Sequence, residues 1–199
     1  VRPARILFWQ GLAIVGWVGW GFVGSSPLAL AMTGVIAAVY LAGAYELMQC
    51  RRATASLSLA LTDLDAQPPA SVDNWLECVH QPLRQAVRQR IDGERVPLPG
   101  PALAPYLAGL LVMLGMLGTF LGMVLTFQGA VFALEASSSL ESIGAALAAP
   151  IRGLGLSFGT SVAGVASSAM LGLMLAMCRR ERLAAVRALD VAVGTVLRP

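Results

Sequence analysis

The sequence predicts an all-α membrane protein with four transmembrane helices, a short hairpin followed by two long helices, and a small helical cytoplasmic insert. Three observations carry this. Of the 199 residues 57% are hydrophobic and only 13% charged, and mean hydropathy is +0.72, the profile of a polytopic membrane protein rather than a soluble domain. Two segments, Pro105 to Leu134 and Ile143 to Cys178, are apolar over more residues than the roughly 20 that a single crossing needs. All 14 basic residues are arginine, and they flank the apolar segments. That distribution is a topology signal, and it argues against a nucleic-acid surface despite the net charge of +3.

The first span covers residues 6–24, with Arg2 and Arg5 before it and Trp9, Trp17 and Trp20 toward its ends. Those arginines place the N-terminus in the cytoplasm. A second span, 28–48, follows after Ser25, Ser26 and Pro27, which disfavours a cleaved signal peptide and makes residues 1–49 a tight helical hairpin. The hairpin returns to the arginine-rich side at Glu46, Cys50, Arg51 and Arg52. Glu46 is expected at the membrane interface, solvated or paired with arginine.

Residues 50–101 form the insert, where charge reappears. The helix of the second span should continue to about Leu64 and break at Ala66 to Ser71, which includes Pro68 and Pro69. Ser71 or Asp73 can cap a short helix bearing Trp75, Leu76 and Val79. Pro82 suits the first turn of another, with Leu83, Ala86, Val87 and Ile91 on its apolar stripe and Gly93 at its end. This insert is too short for a sizeable core, so it should lean on the cytoplasmic ends of the helices or on another subunit. The prolines from Pro97 to Pro105 then give a stiff, extended entry to the third span.

The third and fourth spans, 102–134 and 139–178, make one unit, residues 102–178. Their connection carries Glu135 and Glu141 and no basic residue, which fits an external turn. Ser138 and Glu141 have capping-box spacing, and Pro150 is expected to kink the fourth helix. Residues 179–199 begin a cytoplasmic tail, with Leu183, Val186, Leu189, Val193 and Leu197 at helical spacing. An amphipathic helix still in progress at the last residues, and the lack of an initiating Met, predict a longer native protein. The three cysteines form no CxxC pair and are expected to be free thiols on or near the cytoplasmic side.

Both long segments are rich in small and hydroxyl residues at helical spacing. Gly118 with Gly122, and Gly155 with Gly159, are small-xxx-small pairs that let helix backbones approach. Gly155 to Gly159 also matches G-x-S-x-G. That spacing is weak evidence for a serine nucleophile here, because no strand precedes it and the only histidine, His80, lies in the insert. No enzyme is expected. Arg152 is the one charge inside either segment. Counting back from Arg179 puts it just beyond the outer edge of the hydrocarbon, as a pore-mouth charge or a partner of Glu141 or Gln128. Only hydroxyls are available at membrane depth. An ion path needs a titratable or coordinating group there, so a carboxylate would have to come from another polypeptide.

The run Leu114 to Met123, containing Gly118 and Thr119, followed by the segment Ile143 to Met170 holding Thr160 and Gly164, resembles the paired inner helices of the MotA/TolQ/ExbB proton-channel family. The small insert and the helix continuing past the fourth span are similar to ZorA-like and DUF802-type members. Specific resemblance covers about residues 105 to 180, and Arg152 departs from the pattern. The family implies a homopentameric stator in the bacterial inner membrane around a dimer of a single-span partner. That partner, MotB/TolR/ExbD-like or bearing an OmpA-like domain, would carry the transmembrane Asp. The resemblance further implies that the two long helices are pore-lining, with Gly118, Thr119, Gly122, Ser157, Thr160, Ser161, Gly164 and Ser168 as the wall. H+ or Na+ flow would drive a molecular motor, with no bound cofactor or metal. Motor-type MotA proteins carry a larger cytoplasmic domain, so flagellar torque generation is not expected. The competing expectation is a non-conducting membrane scaffold that uses the same small faces only to assemble.

Overall fold

The computed structural model describes residues 2–24, 27–66, 72–94, 96–135 and 140–197. Helix accounts for 91% of the described residues and no strand occurs among them, which settles the all-α class. The helices are α1 (Arg2–Phe22), α2 (Pro27–Ala66), α3 (Val72–Cys78), α4 (Gln81–Ile91), α5 (Ala104–Glu135) and α6 (Leu140–Ala192), followed by a π-helical turn, Val193–Leu197. Three of them are long and apolar enough to cross a membrane, over Pro27–Leu64, Ala104–Val131 and Ser157–Thr195. The chain therefore has the character of a membrane protein. α1, expected as a fourth span, is not among the three. Arg5, Gln10, three tryptophans and four glycines dilute its aliphatic content.

The chain divides into two compact units. The first comprises Val1–Ala44 and Pro105–Leu173. Here α1 ends just before Gly24, whose φ of +83° costs glycine nothing and would strain other residues. α1 is fastened to α2 by Tyr40, which is fully buried. Its hydroxyl donates to the Leu7 and Phe8 carbonyls at 3.3 and 3.2 Å, and its ring stacks on Phe8. Gly11 makes this possible, because a methyl there would collide with the Tyr40 hydroxyl. On α6, Gly159 receives Phe22 of α1, while Leu171 packs on Gly43 of α2.

The second unit comprises Tyr45–Ala104 and Met174–Pro199. Its core joins Leu57, Leu61 and Leu64 of α2, Trp75, Val79, Leu83 and Val87 of the insert, and Ala185 and Leu189 of α6. The insert thus leans on the extensions of two long helices, as its size demands. Trp75 is 5% exposed, and its indole N–H donates to the Ala60 carbonyl at 2.9 Å. α4 begins with Pro82 in its first turn and buries Leu83, Ala86 and Val87. Gly93, at φ +96°, ends it. Arg84 closes the end of α3 by donating to the Glu77 and Val79 carbonyls.

The fourth span and the tail are one helix of 53 residues, continuous through Pro150, about 80 Å long against a hydrocarbon core of about 30 Å. The tail's apolar stripe holds except at one end: Val186, Leu189 and Val193 of the expected face pack on the second unit's core. Leu189 is fully buried and Ala185 nearly so, but Leu183 is 56% exposed. Six residues at about 100° each carry Leu183 some 120° around the helix from Leu189. The expected breaker after Ala66, the Ser71 cap and Ser138 of the capping box lie outside the described residues, as do the side chains of Asp73, Glu141 and Arg152.

Candidate functional site

On α5, Gly115, Gly118, Thr119, Gly122 and Thr126 recur every three or four residues and therefore share one face. On α6, Ser157, Thr160, Ser161, Gly164 and Ser168 do the same. Within the first unit the two faces meet. At the tightest point backbone touches backbone: a methyl on Gly164 would lie 2.6 Å from the Leu111 carbonyl oxygen and 2.7 Å from the Gly115 Cα. Next along, a methyl on Gly118 would lie 2.6 Å from the Thr160 hydroxyl, and one on Gly122 would collide with that of Ser157. Each glycine is a socket for a group on the facing helix.

The hydroxyls are placed against main-chain carbonyls. Thr160 donates to the Ser157 carbonyl at 2.9 Å. Thr119 donates to its own helix at Gly115 O, 3.1 Å, and reaches across to the same Ser157 carbonyl at 3.3 Å. One carbonyl oxygen therefore receives a threonine from each helix. Ser168 crosses the other way, donating to Ala108 O at 2.7 Å. Thr126 and Ser167 bond back to Gly122 O and Ala163 O. Ser157 and Thr160 are each 2% exposed. Gly118 and Gly164 are also buried, whereas Thr119, Gly122, Ser161 and Ser168 are half-buried at the edge.

No family model, curated protein or solved structure matches the chain.

The structure brings all eight sequence-nominated residues to one seam between two helices of the same chain. Arg152 lies on α6. Gly155 and Gly159, read as a pair from their spacing, part company. Gly159 seats Phe22, and Gly155 has open space beyond its Cα. Sequence reasoning did not nominate Gly115 and Ser167 as site residues, although Gly115 continues the Gly118 and Gly122 spacing toward the start of α5.

The second unit holds a polar cluster that no local pattern announced. Glu46, expected to be solvated or arginine-paired, accepts hydrogen bonds at one carboxylate oxygen from the Ala102 and Leu103 N–H groups, at 2.8 and 3.0 Å. It caps the entry to α5, where prolines supply no donors and the first N–H groups need acceptors. Five residues along α2, Arg51 makes a two-pronged ion pair with Glu181, at 2.8 and 2.6 Å. Cys50 and Cys178 meet with their sulfurs 3.4 Å apart. Among the described residues no three His, Cys, Asp or Glu side chains are grouped to hold a metal ion.

Proposed function

We propose that this chain is the ring-forming membrane subunit of an ion-driven complex of the MotA/TolQ/ExbB kind. Its four spans would include α1, with both termini in the cytoplasm of a bacterial cell. Five copies would surround a partner dimer whose transmembrane Asp takes up and releases H+ or Na+. The observation that carries this reading is the Ser157 carbonyl shared by Thr119 and Thr160, which sets hydroxyls from two helices at one level in a stretch without acidic side chains. Apart from Arg152, the segments 105–134 and 143–178 contain no Asp, Glu, His, Lys or Arg. A carboxylate working at this level must therefore arrive on a partner.

Thr119 is the half-buried member of the pair and the one able to exchange bonds. Its hydroxyl donates to an ionised carboxylate and accepts from a protonated one, and the Ser157 carbonyl keeps its bond from Thr160 meanwhile. Gly118 and Gly122 add no side-chain bulk beside it. Threonine does not titrate near neutral pH, so its part is relay and steric guidance.

The test is proton flux in proteoliposomes containing the chain and its partner. Thr119→Val and Thr160→Val together keep shape and remove two donors. A hydrogen bond worth about 1.5 kcal/mol at the barrier corresponds to about a tenfold loss of flux, with assembly intact. Flux at the wild-type level would sink the relay. One observation favours a second reading, a non-conducting scaffold: both threonine hydroxyls already have main-chain acceptors. A scaffold assembles equally well with either side chain and conducts with neither.

A further inference from the structure

We infer that Cys50 and Cys178 form a reversible oxidation site, a dithiol that peroxide converts to a disulfide joining α2 to α6. The two residues are 128 positions apart in sequence, yet their sulfurs lie 3.4 Å apart. A disulfide requires the sulfurs to close from there to roughly 2.05 Å. The alignment has its own support, because Arg51 and Glu181, beside them on the same two helices, are locked by the two-pronged ion pair. Cys50 is half-buried and Cys178 buried, which assigns the order of events. Cys50 meets the oxidant, and Cys178 resolves it.

The chemistry balances with hydrogen peroxide as oxidant. The Cys50 thiolate attacks one peroxide oxygen, the O–O bond breaks, and sulfenic acid and hydroxide result, the hydroxide taking up the proton lost by the thiol. The Cys178 sulfur then attacks the Cys50 sulfur, the S–O bond breaks and water leaves. Two thiols and one peroxide become one disulfide and two waters. A dithiol reductant reverses it. The third cysteine, Cys78, is exposed and serves as an internal control.

The experiment treats the purified full chain in detergent with hydrogen peroxide, removes the oxidant, unfolds the protein in denaturant so that buried thiols become reachable, labels remaining thiols with a maleimide, and maps the peptides by mass spectrometry. Expected is loss of labelling at Cys50 and Cys178 with Cys78 still labelled, an intramolecular Cys50–Cys178 peptide pair, and three labelled thiols again after dithiothreitol. In Cys178→Ser, and in Cys178→Ala as a second variant, Cys50 should instead accumulate as sulfenic acid trapped by dimedone. Labelling of all three thiols after peroxide, a bridge to Cys78 or between chains, or equal dimedone trapping in wild type and variants would each overturn the inference.

Discussion

At the scale of single residues, glycines that look alike in the sequence have opposite duties. A methyl at Gly164 would press on the Leu111 carbonyl and the Gly115 Cα, and backbone cannot rotate away as a side chain can. Gly164→Ala should therefore lower stability by about 1 to 3 kcal/mol. Gly155, with nothing within 4 Å of an added methyl, should accept Ala with a gain of about 0.5 to 1 kcal/mol, from helix propensity. Thermal unfolding in detergent, read by thiol-reactive dye or circular dichroism, separates the two, and equal shifts would mean the seam is not packed as described. Spacing alone placed the eight seam residues on two faces, because helical periodicity is local. It could not tell which glycine meets backbone and which meets nothing, since that depends on a helix about fifty residues away.

The scale of elements brings a similar division between what was legible and what was not. The α4 helix was readable from Pro82, its apolar stripe and Gly93, all within a dozen residues. Glu46 as a cap for the α5 entry was not, because its donors at Ala102 and Leu103 come 56 and 57 residues later. The α6 tail shows how far a stripe carries: Val186, Leu189 and Val193 at nearly helical spacing do pack on the core, joined by Ala185, while Leu183 is left out. Leu189→Ala should cost about 2 to 5 kcal/mol and expose the insert amides to hydrogen exchange. Leu183→Ala should stay within about 0.5 kcal/mol. A reversed order would put Leu183, not Leu189, on the packed face.

For the whole molecule the open quantities are copy number and the count of crossings. Native mass spectrometry of the detergent-solubilised protein should give five copies, and a stable monomer would remove the ring from the proposal. The crossing count hinges on α1, and the placement of tryptophan supplies a way to read it. Trp9, Trp17 and Trp20 are all on α1 and 60%, 76% and 80% exposed, whereas Trp75 sits 5% exposed in the core of the second unit. Nature has thus sorted the chain's intrinsic fluorophores by environment. In liposomes made with lipids brominated along the acyl chains, an α1 that crosses the bilayer should lose most of its emission. The Trp9→Phe, Trp17→Phe, Trp20→Phe triple variant, shining from Trp75 alone, should stay bright. The same four indoles therefore make the protein its own optical depth gauge, with three that report whether α1 meets lipid and one shielded reference.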